Sequence, residues 1–191
     1  MQPTAGLVLA AGFATRFGGR KLLAPVNGKP MLERVLDLCA AADLQRVVVV
    51  LGKDAEVIEA NIHWRDELRI RNYLPEQGIS SSVKSGMWTL LRLNNIQRVV
   101  VLMGDQPFLT PEQLQLVLEA PGQIVVPRFE GKPGNPVALD RSIWSLAAKI
   151  EGDRGFSQVF SAYPNLVTYV DVPGTNRDID TPQDLAAINP A

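Results

Sequence analysis

The chain is poor in the residues that most often carry hydrolytic and zinc chemistry. Among 191 residues it has one cysteine, Cys39, and one histidine, His63. A single cysteine excludes an intrachain disulfide. Its setting, Val35-Leu36-Asp37-Leu38-Cys39-Ala40, is an apolar helical run, so a core thiol is expected. A single histidine argues against a multi-histidine zinc site and against a serine–histidine triad. Basic residues are not in excess: 19 Lys and Arg against 20 Asp and Glu leave a net charge of −1. Non-specific nucleic-acid binders normally carry a basic surplus, so nucleic acid is not an expected partner. No apolar run reaches the roughly 20 residues of a membrane helix, and Met1-Gln2-Pro3-Thr4 lacks the basic start of a signal peptide. A cytoplasmic protein with no membrane partner is the expectation. There is no internal repeat, low-complexity tract or linker, and 191 residues suit one domain, taken as 1–191.

What is present is a globular composition, 46% hydrophobic and 20% charged. Short apolar runs alternate with segments of helical period. The runs are Leu7–Ala10, Val47–Leu51, Val99–Met103, Ile124–Val126 and Val167–Val170. Val47–Leu51 and Val99–Met103 are apolar at every position, as in parallel strands covered on both faces. Helices are predicted at Met31–Ala42, Ser82–Leu93 and Pro111–Glu119, with a last one at Gln183–Ile188. Thr110, Pro111 and Gln113 form a capping-box start, and Thr181-Pro182 repeats the signal. The alternation predicts an α/β fold: a three-layer, doubly wound, mostly parallel sheet. Arg128–Asp140, with Gly131, Pro133, Gly134 and Pro136, reads as an inserted loop.

The strongest local signal is Leu9-Ala10-Ala11-Gly12, then Arg16, Gly18-Gly19 and Lys21-Leu22-Leu23, directly after the first strand. Small residues let backbone N–H groups approach phosphate oxygens, and Arg16 and Lys21 add charge. The loop is not a P-loop, because Lys21 follows Arg20 and precedes Leu22. Nor is it a dinucleotide fingerprint, which Gly12-Phe13-Ala14 breaks. Ligands of open parallel sheets bind beyond the carboxyl ends of the strands. Gly12, Asp105, the Arg128–Asp140 insertion and Asp178/Asp180 all follow predicted strands, so they converge on one edge. Asp105, in Gly104-Asp105-Gln106-Pro107, suits a hard cation. Asp178 and Asp180 are alternate residues of an extended segment, and either could join it. Hydroxyls of Ser80, Ser81 and Ser82 could cap the following helix or meet a base or phosphate. For Arg20 a solvated surface charge is expected. Packing is the expected role of Trp64, Trp88 and Trp144.

The pattern L-A-A-G-x(3)-R-x-G followed by K-L-L resembles the opening of nucleotidyltransferases of the MobA/MocA type. Ser80-Ser81-Ser82-Val83, Gly104-Asp105-Gln106-Pro107, Gly134-Asn135-Pro136-Val137, Gly152-Asp153-Arg154-Gly155 and Asp178-Ile179-Asp180-Thr181-Pro182 match the same family in the same order, from about Leu7 to about Leu185. The resemblance implies the nucleotide-diphospho-sugar transferase (GT-A-like) fold and an Mg²⁺-dependent transfer with release of pyrophosphate. It implies catalytic roles for Arg16, Lys21 and Asp105. Nucleotide binding would fall to Leu9, Ala10, Ala11, Gly12, Arg16, Lys21, Ser82 and Asp105, and metal binding to Asp105 and Asp180. Asn135 and Arg154 would face the acceptor, an amide for a pterin-like edge and a guanidinium for a phosphate. Asp153 could instead cap the helix of Phe156–Phe160. Guanylyl members usually carry L-A-G-G, and Ala11 here resembles the cytidylyl branch. The implied reaction is therefore CMP transfer from CTP to molybdopterin cofactor, with a molybdoenzyme as a possible client. Guanylyl transfer to the same cofactor, transfer to a sugar or polyol phosphate, and a non-catalytic molybdoenzyme maturation role are the alternatives.

Overall fold

The computed structural model describes residues 2–13 and 16–188; Ala14 and Thr15 of the first loop lie outside them. Among the described residues ten strands run in chain order: β1 (Thr4–Ala10), β2 (Pro25–Val26), β3 (Lys29–Pro30), β4 (Arg46–Leu51), β5 (Leu68–Arg71), β6 (Arg98–Met103), β7 (Ile124–Phe129), β8 (Lys132–Pro133), β9 (Val137–Asp140) and β10 (Val167–Val172). The α-helices are α1 (Met31–Ala41), α2 (Ala55–Asn61), α3 (Ile79–Leu91), α4 (Pro111–Glu119), α5 (Ser157–Ala162) and α6 (Pro182–Ile188). Eight strands form one sheet of order β10-β7-β9-β6-β1-β4-β5, with β8 paired to β7. The order reverses about β1, which pairs in parallel with both β4 and β6.

Period two explains why Val47–Leu51 and Val99–Met103 are apolar at every position. Val8 and Ala10 of β1 join Val49, Leu51, Val100 and Leu102 in a core beneath α1, α2 and α4. Leu7 and Leu9 join Val48, Val50, Val99 and Val101 on the other face, beneath α3 and α5. Three layers result. Cys39 belongs to the first core, and burial, with the negative charge of Glu67, pushes its thiol up to about 12. The indole of Trp144 is buried and donates to the Leu139 carbonyl (3.1 Å), whereas Trp88 lies exposed under the Arg92 guanidinium.

The Thr110 capping box forms as expected, with Gln113 N–H donating to Thr110 Oγ1 and Thr110 N–H to Gln113 Oε1. The sheet departs from the sequence reading at the insertion. Val137–Asp140 is not loop but a strand lying antiparallel between β6 and β7, with Val137 opposite Val101 and Ala138 opposite both Val100 and Val125. Its three apolar residues are too short a run to signal a strand alone; long-range pairing on both sides makes it one. The strand β7 also continues through Pro127, since Val167–Val172 pairs along its whole length. Helix α3 starts at Ile79, three residues before the sequence signal, because a partner distant in sequence caps it.

Candidate active site

The loops after β1, β4 and β6 enclose a cleft of about 550 Å³ at the carboxyl edge of the sheet. Leu9, Ala10, Ala11, Gly12, Arg16, Lys21, Asp105 and Asp180 all line it. Gly104 N–H donates to the Leu9 carbonyl at 2.9 Å, carrying the β6–β1 ladder one step past the strands. That step sets Asp105 beside the first loop. Lys21 opens a single 3-10 turn, Lys21–Leu23, and is only 7% exposed.

Lys21 Nζ is held between two carboxylates, 2.7 Å from Asp105 Oδ2 and 2.9 Å from Asp180 Oδ1. Arg16 Nη2 takes the other oxygen of Asp180 at 2.8 Å. Burial pulls the Lys21 ammonium down, but its hydrogen bonds to Asp105 and Asp180 and their charges outweigh that. It ends above the ordinary lysine value. Asp180 arrives from far along the chain. Ile179 N–H donates to the Asp105 carbonyl, and the Ile179 side chain is buried against Val26 and Met31, with Leu185 and Ile188 of α6 packed alongside. Thr181 Oγ1 accepts from Asp184 N–H (3.1 Å), while Asp184 accepts from Thr181 N–H. The expected cap of α6 thus directly follows Asp180.

Asp105 Oδ1 is buried and has no hydrogen-bond partner among the described residues. An orphaned carboxylate oxygen on a residue that lines a cleft calls for a cation or a donor. No group of three His, Cys, Asp or Glu able to hold a metal exists among the described residues. Two carboxylates are nevertheless a suitable protein contribution for Mg²⁺, which takes its remaining oxygens from phosphates and water. Asp178 is placed apart from the cleft lining and accepts from Gln106 Nε2 at 2.5 Å. Burial, and the charges of Asp105 and Asp180, raise its pKa despite that bond.

Two further lobes of about 260 Å³ each open from the cleft and share Leu9, Met103 and Asp153 with it. One is lined by Ala11, Gly12, Phe13, Glu76 and Ser82, the other by Asn135, Arg154, Val126 and Phe156. Of the expected nucleotide residues, Ala11, Gly12 and Ser82 line one lobe, Leu9 lines both, and Ala10, Arg16, Lys21 and Asp105 line the cleft between; the expected acceptor residues Asn135 and Arg154 line the other lobe. The serine hydroxyls do not cap α3. Ser80 and Ser81 donate to the carbonyls of Gln77 and Gly78, and Ser82 accepts from Asn72. Asp153 does not cap the following helix either; its Oδ1 accepts the Ile79 N–H at 3.2 Å and so caps α3 across the chain. Sequence reasoning missed Gly52-Lys53-Asp54, which line the cleft after β4. The signal was available, since β4 is as apolar as β6 and ends on the same edge. Arg20, read as a surface charge, is exposed and lines the cleft rim.

A doubly wound, mostly parallel sheet with an antiparallel strand set between β6 and β7 is the nucleotide-diphospho-sugar transferase fold of nucleotidyltransferases. The chain belongs to the MobA-like NTP transferase domain family, whose model matches residues 6–172. It is 34% identical over 139 residues to the bifunctional protein GlmU of Neisseria gonorrhoeae, covering 72% of the chain but 29% of that protein. The chain spans less than a third of the length of these bifunctional relatives. It is 27% identical over 193 residues to nicotine blue oxidoreductase of Paenarthrobacter nicotinovorans, covering 94% of the chain and 93% of that protein. Rv0371c from Mycobacterium tuberculosis H37Rv superimposes with a TM-score of 0.87 at 25% identity, covering 97% of each chain. Its manganese complex gives 0.82 at 23%, covering 98% and 97%. The 4-diphosphocytidyl-2C-methyl-D-erythritol synthase of Anaerococcus prevotii gives 0.81 at 19%, covering 98% and 97%.

Proposed function

We propose that this protein is a single nucleotidyltransferase domain acting in the cytoplasm, moving CMP from CTP to molybdopterin cofactor with release of pyrophosphate. The observation that carries the reaction class is the buried Lys21 ammonium between Asp105 and Asp180, beside Asp105 Oδ1, which has no partner among the described residues. Support for a pyrimidine is Ala11, whose methyl narrows the lobe that also holds Ser82. Support for the acceptor is the second lobe, with an amide at Asn135 and a guanidinium at Arg154. A molybdoenzyme would be the client of the product.

In this reading the triphosphate lies along Leu9–Gly12 and Lys21. An acceptor phosphate oxygen attacks the α-phosphorus. The new oxygen–phosphorus bond forms as the α–β bridging bond breaks, and pyrophosphate leaves with the electron pair. Lys21 and Arg16 turn from their carboxylates to the oxygens on which charge develops, which stabilises the transition state. Asn135 and Arg154 orient the acceptor, converting an encounter of two molecules into a positioned step. Asp105 and Asp180 would hold Mg²⁺, as the donor set fits, and the bound ion would supply charge neutralisation at the phosphates.

The test is pyrophosphate release with each of the four NTPs, with and without molybdopterin cofactor. Release with CTP only when the cofactor is present is the expected outcome; a GTP preference or indifference to the cofactor would overturn the assignment. A redox activity is the second reading, carried by the end-to-end match to nicotine blue oxidoreductase. The same assay separates the two, because a redox turnover releases no pyrophosphate.

A further inference from the structure

The lobe beside the first loop contains a small, fully directed hydrogen-bond relay. Asn72, just past β5, is 5% exposed. Its Oδ1 accepts the Leu74 N–H at 2.9 Å. A backbone N–H can only donate, so the amide orientation is forced, and Nδ2 must face the other way. There it donates to Ser81 Oγ at 2.7 Å and to Ser82 Oγ at 2.9 Å. Each serine oxygen thereby has one of its two acceptor positions filled. Ser81 spends its own proton on the Gly78 carbonyl at 2.8 Å. Ser82 has no such acceptor among the described residues, and it lines the lobe together with Ala11, Gly12 and Met103.

We infer that Asn72 is a positioning residue that makes Ser82 a fixed hydrogen-bond donor to an acceptor atom on the nucleobase. The inference rests on the nucleotide reading above and deepens it. A hydroxyl in free rotation would serve a donor or an acceptor equally. With Asn72 behind it, one of the two acceptor positions of Ser82 is filled and its proton is left uncommitted, which biases the hydroxyl to donate into the lobe. The pyrimidine carbonyl O2 and ring N3 of cytosine are acceptors of the matching sense. Ser81, one residue away and bonded to the same amide, has no proton left to give. Two adjacent serines thus have opposite roles, one structural and one recognising the base.

The experiment measures binding of CTP and of inorganic tripolyphosphate by calorimetry in the native protein and in Ser82→Ala, Ser81→Ala and Asn72→Asp. Tripolyphosphate reports the charged centre without a base. Ser82→Ala should weaken CTP about tenfold, the size of one lost hydrogen bond, and leave tripolyphosphate unchanged. Ser81→Ala should change the ratio of the two affinities by less than about twofold, well below one hydrogen bond. Asn72→Asp offers only acceptors, so Ser82 must turn its proton inward. CTP should weaken as in Ser82→Ala, with no further loss in the double variant. The two serine variants keep the test decisive if Asn72→Asp does not fold. Equal losses of CTP and tripolyphosphate in Ser82→Ala, or equal CTP losses in Ser81→Ala and Ser82→Ala, would overturn the relay. A native protein that binds tripolyphosphate but gains nothing from the base would overturn the relay while leaving the charged centre standing. One that binds neither would overturn the nucleotide reading itself.

Discussion

At the scale of residues, the site is a balance of four charges. Lys21 and Arg16 neutralise Asp105 and Asp180, and of their four carboxylate oxygens Asp105 Oδ1 alone has no partner among the described residues. Asp105→Asn keeps the shape of that side chain but removes its charge. The folded structure should persist, because the amide can still accept from Lys21. If Asp105 holds the metal as proposed, turnover should fall by orders of magnitude, since losing a metal ligand removes several kcal/mol of charge stabilisation. Circular dichroism with steady-state pyrophosphate release checks both halves, and a near-native rate would remove Asp105 from the mechanism. Ala11→Gly is the complementary change. Removing one methyl from the proposed base lobe should relax the CTP-over-GTP ratio in kcat/KM, by no more than the ~1–3 kcal/mol that a methyl-sized change in a pocket is worth. An unchanged ratio would strip Ala11 of its part in base choice.

At the scale of elements, the start of α3 is held from outside the helix. Gly78 sits at φ 80°, and a β-carbon there would lie 2.3 Å from Asp153 Oδ1 and 2.7 Å from the Gly152 carbonyl carbon. Gly78→Ala therefore meets both a left-handed backbone and a backbone clash. The 152–155 turn must move, carrying Asp153 and Arg154 away. The expected result is a lower thermal midpoint, by at least the ~1 kcal/mol of the strained backbone alone, together with a raised KM for the acceptor. Unchanged acceptor kinetics would show that this turn is not part of the acceptor lobe. Helix α1 is tied down differently. Asp37 accepts hydrogen bonds from Lys29 of β3 and from Arg65. Burial pushes the Asp37 carboxyl up, but these two cations outweigh it and hold it below the usual carboxylate value. The folded state thus binds that proton less readily than the unfolded chain. Its contribution is fully present above the ordinary aspartate pKa and is lost as pH falls through the lowered folded value. Being part-exposed, the clamp is worth no more than about 1 kcal/mol. Urea titrations from pH 7 down to pH 2 should show Asp37→Asn losing its deficit against the native protein at the acid end. A deficit independent of pH would assign Asp37 a packing role instead.

At the scale of the whole molecule, the cleft is built by parts that share no local sequence. The β1 loop, the end of β6 and the segment before α6 meet only when the sheet closes. In that closed state the Lys21 ammonium already satisfies one oxygen of each carboxylate. Divalent metal alone should therefore raise the melting temperature little, whereas metal with CTP should raise it clearly. At a hundred times Kd the linkage is worth about 2.7 kcal/mol. Differential scanning calorimetry with Mg²⁺, CTP, and both would show it. A full shift from Mg²⁺ alone would mean that the metal site is complete before nucleotide binds.

Much of this was legible in the residues themselves. Apolar runs with no polar interruption imply strands covered on both faces, and loops at one edge follow from parallel order. That reasoning identified β1, β4, β6, β7 and β10 and brought the Gly12 loop, Asp105, the Arg128–Asp140 insertion and the Asp178/Asp180 pair to one edge. Local chemistry also set the capping box at Thr110 and the burial of Cys39. What needed the tertiary structure were the features made by partners far apart in the chain. The strand β9 exists because β6 and β7 offer it two ladders, not because Val137-Ala138-Leu139 prefers an extended form. The choice between Asp178 and Asp180 at Lys21 depends on where buried Ile179 anchors the backbone. Asp153 caps a helix that begins 74 residues before it, and Asn72 orients a serine ten positions on. A sequence states which groups can pair through propensity and period; which of them do pair is decided by long-range geometry, which no local window contains.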